Sequence, residues 1–223
     1  MFALIAFSAQ ISVSAQVSSS SSSQPSSKEP KAESSQRSVI EPPLNPGSLS
    51  AGVYRSPQFG FACKIPAGWV LRTDEINVRD GDAAPDGNKA ATDAKRGQVL
   101  LAAFSRPPAV RAQDVNASIL IAVESTALYP GLKDAAQYFG PVTEVAKANG
   151  FEIVEEPYEF VIGAKTLVRG DFQKDVGTRV MRQSTLVMLS RGYAVSFTFI
   201  GGTEDEVEEL VQGLSFAGAK TGR

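Results

Sequence analysis

The chain has 223 residues, with 22 Lys and Arg against 24 Asp and Glu, one cysteine and no histidine. That near-neutral balance excludes the strong basic footprint of a nucleic-acid binder, and without imidazole this chain has no Ser-His-Asp or Cys-His catalysis and no His-based zinc or copper site. A lone cysteine cannot close an internal disulfide, so the fold must hold through a hydrophobic core, for which 43% hydrophobic and 21% charged residues are ordinary proportions.

Residues 1–15 read as the apolar core and small-residue cleavage region of a secretory signal peptide, with Val13-Ser14-Ala15 at its end. The usual basic start is missing, since Met1 runs straight into Phe2-Ala3-Leu4. The apolar run falls short of the roughly 20 residues that span a bilayer, so no transmembrane segment is expected. No cysteine follows the cleavage region, and a lipoprotein anchor is not expected either. Residues 16–52, with Ser18 to Ser23 in succession, are too poor in apolar side chains to offset chain entropy. They read as a disordered tether that ends near Pro42-Pro43 and Asn45-Pro46-Gly47.

The folded domain is expected over 53–223 as an α+β unit. Phe59, Phe61, Cys63 and Ile65 alternate with smaller or polar residues, the pattern of a half-buried strand that puts Cys63 on its apolar face. After Pro66-Ala67-Gly68 a second strand starts at Trp69. Residues 74–97 read as a long polar loop, where Asp80-Gly81-Asp82 and Asp86-Gly87-Asn88 approach a calcium loop but lack the third ligand position and the closing Glu. Val99 to Phe104 and Ile119 to Val123 are apolar on both faces, as central strands covered on both sides are. Asn116-Ala117-Ser118 matches a glycosylation acceptor but sits at the entry to a buried strand.

Leu132 to Asn149 is expected to be helical in two pieces, divided at Gly140-Pro141 and closed by Gly150. A meander follows: short strands over 151–155 and 158–162, then 166–173, a long strand from Thr178, and a last strand of alternating Tyr193, Val195, Phe197 and Phe199. Val207, Leu210, Val211 and Leu214 form one apolar stripe of a final helix, opened by a Thr203/Glu206 capping box. About eight strands in short connections, with helical cover available for both faces, give an antiparallel sheet sandwiched between helices.

Two stretches carry a family resemblance. Phe59-Gly60-Phe61-Ala62-Cys63-Lys64-Ile65-Pro66-Ala67-Gly68-Trp69 resembles the opening strand of the PsbP-like superfamily, and Gly192-Tyr193-Ala194-Val195-Ser196-Phe197-Thr198-Phe199 with the acidic helix after it is similar to its closing strand and helix. The resemblance covers Val53 to Phe216. It implies the α-β-α sandwich of a superfamily that is usually non-enzymatic and acts through protein contacts. The photosystem member's functional N-terminal arm and ion-binding residues have no matching motif here, and no cofactor is implied.

Sites are sparse in this sequence. Glu155 and Glu156 are adjacent, so a strand would point them to opposite faces. Asp205, Glu206, Glu208 and Glu209 suit the first turns of a helix, whose dipole favours carboxylates there. Arg169, Arg179 and Arg182 lie on strands and are candidate contacts for an anionic group, as Asp80 and Asp82 are for a partner or cation. Arg182 is the oddest, because it shares a face with Leu186 and Met188. The leading expectation is an exported, monomeric, non-catalytic interaction module meeting a protein partner in the cell envelope. A small-ligand binder with a concave sheet face anchored by Arg169 or Arg182 is the alternative, and a hydrolase comes last for want of a base.

Overall fold

In a computed structural model of the protein, which describes residues 44–82, 97–107 and 114–217, the apolar strands assemble into two antiparallel sheets. The larger has seven strands in the order β4 (Val70–Leu71), β5 (Gln98–Phe104), β6 (Ser118–Ser125), β10 (Tyr193–Gly201), β9 (Arg179–Ser190), β8 (Lys165–Val176) and β7 (Glu152–Ile162). The smaller runs β1 (Ser48–Ser50), β2 (Val53–Ser56), β3 (Phe61–Lys64) and β11 (Leu214–Phe216). Three α-helices complete the described residues: α1 (Thr73–Asp82), α2 (Ala135–Ala148) and α3 (Glu204–Gln212).

The alternation in β10 sorts its side chains to two cores. Tyr193, Val195, Phe197 and Phe199 face the small sheet and the Val207, Leu210 and Val211 stripe of α3. Ala194 faces α2, joined by Val187 and Phe172 from the neighbouring strands. A third cluster puts Ile76 of α1 against Val99, Ala102 and Phe104. Helices thus cover both faces of the large sheet, as expected, with the small sheet sharing one face with α3. Cys63 is fully buried between β2 and β11, and burial pushes its thiol up to about 12.

Several boundaries differ from the sequence expectations, each for a physical reason. The stretch expected to begin a loop at residue 74 is helical through Asp82, and residues 83–96 lie outside the described residues. This helix mends an edge. β4 pairs only Val70 and Leu71 with β5, and further along α1 supplies the missing partners. Thr73 Oγ1 accepts from the Ala102 amide at 3.0 Å, while the Asn77 side chain both donates to the Val99 carbonyl and accepts from its amide. Residues ahead of the expected start at 53 already belong to the fold, because β1 pairs with β2 and the Tyr54 hydroxyl donates to the Pro46 carbonyl.

The helix expected in two pieces is one, with Pro141 inside it. Interior proline costs about 3 kcal/mol. Burial of Tyr138, Phe139 and Val142 on one face contributes about 1.5–3 kcal/mol for each side chain, so packing wins over the break. The two short strands expected at 151–162 are one bulged strand, and Leu214 to Phe216, expected to close the last helix, leave it after Gly213 to pair with β3. The Thr203 cap is present: its Oγ1 accepts from the Glu206 amide at 3.1 Å, and Glu206 reaches back to the Gly202 amide.

Candidate functional site

β8 places Arg169 and Asp171 two residues apart, so both rise from the face that α3 covers. Arg169 Nε donates to both Asp171 oxygens at 3.0 Å, and its Nη2 donates to Glu208 on α3. The guanidinium also lies over the Phe160 ring, 5.0 Å from its centre. Only 6% of Arg169 is exposed. Burial alone would discourage its charge, but the Glu208 and Asp171 carboxylates more than offset that and hold it firmly protonated.

Two bulges in β7 complete the surroundings. Register shifts between Ile153 and Glu155 and again between Glu155 and Tyr158, so Glu155 stands opposite Asp171 and Tyr158 opposite Arg169. Regular alternation would send these two side chains to different faces; the bulges put both on the α3 side. Tyr158 donates to Asp171 Oδ2 at 3.2 Å, and burial, followed by the Asp171 charge, pushes its phenol up to about 12.

Between this network and the start of α3 lies a cleft of about 160 Å³. Val154 and Val207 give it apolar walls; Glu155, Asp171, Arg182, Glu204 and Glu208 give it charge, along with Arg169. Gly201 lets the helix come this close, since a Cβ there would stand 3.0 Å from Glu206 Oε2 and 3.1 Å from Val207 Cγ2. Asp171 and Glu208 are committed to Arg169. Glu155, Glu204 and Arg182 have no hydrogen-bond or ion-pair partner among the described residues. Arg182 pairs across the sheet with Gln173 and Gly201, two strands from Glu155.

The structure therefore brings Arg169 and Arg182, both candidates from the sequence, to one cleft. Arg179 starts β9 at its exposed end and does not line the cleft. Asp80 and Asp82 lie in the last turns of α1, on the other side of the large sheet. No group of three or more His, Cys, Asp or Glu is arranged to hold a metal among the described residues. Asn116, from the glycosylation match, has its amide engaged with Ser105 and Arg106.

Glu155, Tyr158, Asp171, Glu204 and Glu208 were not singled out as a site by the sequence. One signal for part of the set was present, the Arg169-x-Asp171 spacing that pairs opposite charges along one strand face.

No protein-family model matches the chain, and no curated protein is similar to it. Solved structures are. A cyanobacterial PsbP from Synechocystis covers 77% of this chain and 98% of its own at 16% identity and a TM-score of 0.43. LpqN of Mycobacterium tuberculosis, described as involved in cell envelope biogenesis, covers 70% and 83% at 14% identity and 0.35. The yeast Ran-binding protein Mog1p covers 71% and 80% at 12% identity and 0.36. A PsbP is thus among the structures to which the chain is similar, as the resemblance of its first and last strands implied. At these scores no residue role passes from them to this chain; the α+β fold is shown by its own sheets and helices.

Proposed function

We propose that the chain is an exported, non-catalytic interaction module whose contact site is the cleft under α3. The observation that carries this reading is the division of labour around the cleft. Arg169, Asp171, Glu208 and Tyr158 satisfy one another, while Glu155, Glu204 and Arg182 line it unpaired. Unpaired charges beside a recess favour an outside group of complementary charge. Chemistry is disfavoured by the same arrangement, because Tyr158 is driven away from the phenolate and Arg169 is fully engaged. At about 160 Å³ the cleft is well below the roughly 300–1,000 Å³ of small-molecule sites, which favours a protein side chain over a free ligand. Export rests on the apolar stretch at 1–15 followed by a Ser-rich sequence; among the described residues no helix is long and apolar enough to cross a membrane.

Site-specific photo-crosslinking tests the reading. A photoreactive residue at Glu155 should capture a defined envelope protein in living cells, and one at Glu144 on α2, across the sheet, should not. Equal capture at both positions, or none at Glu155, would remove the cleft as the contact site.

A further inference from the structure

The charge count at the cleft is uneven: two guanidiniums, Arg169 and Arg182, face four carboxylates, Glu155, Asp171, Glu204 and Glu208. Glu155 and Asp171 stand directly opposite each other on neighbouring strands, an arrangement of like charges that destabilises a sheet. Arg169 neutralises Asp171, and nothing among the described residues neutralises Glu155. The walls at Val154 and Val207 are apolar. A group that suits both halves has an aliphatic stem and a cationic head. Resting on the interaction reading above, we propose that the cleft receives a lysine or arginine side chain of the partner protein. The stem lies along Val154 and Val207, as long basic side chains lie on apolar surface, and the head meets Glu155 and Glu204.

Arg182 has a separate part. It stands on β9, two strands from β7 and two residues along from Ser184, the position in line with Asp171 and Glu155, which at the usual strand spacing and rise is roughly 12 Å from Glu155. That separation keeps it from competing for the incoming cation and leaves its donors for a main-chain carbonyl of the same partner segment. The cleft then reads both the charge of a side chain and the backbone that carries it.

The test is a titration of the full chain by two-dimensional NMR with Nα-acetyl-lysine methylamide, using the norleucine counterpart as the uncharged control. The lysine probe should shift signals of Glu155, Tyr158, Arg182 and Glu204 at millimolar concentration, and the control should not. A Glu155→Gln/Glu204→Gln double variant, altered only at solvent-exposed positions, should weaken binding at least fivefold while its spectrum shows an intact fold. Equal shifts with norleucine, no shifts up to tens of millimolar, or undiminished binding by the double variant would overturn the proposal. The two readings fail separately. Capture of a partner through Glu155 with no response to lysine removes the cationic occupant and keeps the interaction site, whereas a lysine response with no captured partner does the reverse.

Discussion

Arg169 and Glu124 are both charged groups taken out of water, and the protein treats them differently. Arg169 receives two carboxylates and an aromatic face, so removing it strands Asp171 and Glu208. Breaking a buried pair costs about 3–5 kcal/mol, and with Glu208 partly exposed the lower end applies. Arg169→Ala is expected to lower unfolding free energy by about 3 kcal/mol in denaturant titration, with much less lost when Asp171 and Glu208 are neutralised in the same chain. Glu124 receives no cation from the described residues. It is 5% exposed on β6, with hydrogen bonds from Tyr129, 2.8 Å from its Oε2, and from Tyr138. Desolvation outweighs those bonds and holds its carboxyl above the usual range. A raised carboxyl favours the folded state when protonated, so its contribution is present at low pH. It is lost as pH rises from the unfolded value, about 4.3, through the folded one. Denaturation midpoints between pH 4 and 8 should therefore fall more steeply in the wild type than in Glu124→Gln, and parallel profiles would contradict this. Cys63, buried with its thiol pushed up to about 12, should resist a thiol reagent in the native protein and react on unfolding.

Among the elements, α2 depends on one glycine. A Cβ on Gly170 would stand 2.6 Å from Phe139 Cε1, so β8 is bare where the helix presses the Phe139 ring. Gly170→Ala forces that contact apart and should destabilise by about 1–3 kcal/mol in thermal or denaturant unfolding. Such a role is invisible in sequence, where Gly170 sits in an unremarkable polar stretch. What could be read was whatever repeats along one element: the alternation of Tyr193 to Phe199, the Val207, Leu210 and Val211 part of the α3 stripe, and the Thr203 cap stand as expected. What could not be read depends on a neighbour. Pro141 stays helical because buried Tyr138, Phe139 and Val142 hold the segment down, and α1 forms against a strand edge that only the assembled sheet leaves bare. The cleft belongs to this second kind. Arg182 stood out by sharing a face with apolar residues, but its neighbours Glu155 and Tyr158 come together through two bulges whose register is set by β8. Arg191 and Gly192 make the hairpin turn between β9 and β10, and both take positive φ, at 54° and 83°.

Taken as a whole, the molecule sets its buried ion pairs beneath a helix and leaves its unpaired charges beside it. The large sheet, covered by α1 and α2 on one face and by α3 with the small sheet on the other, holds the cleft on β7, β8 and β9. Sites carried on strands and helices keep their geometry better than sites on loops, and a rigid recess with complementary charge acts through partner choice more than through raw affinity. The decisive measurement is the affinity of the full chain for the partner captured through Glu155, made with wild type, with Glu155→Gln/Glu204→Gln, and with Glu144→Gln on the far face. A loss of at least tenfold in the double variant, with Glu144→Gln unchanged, is the expected result. Equal affinity for all three would contradict the cleft as the contact site.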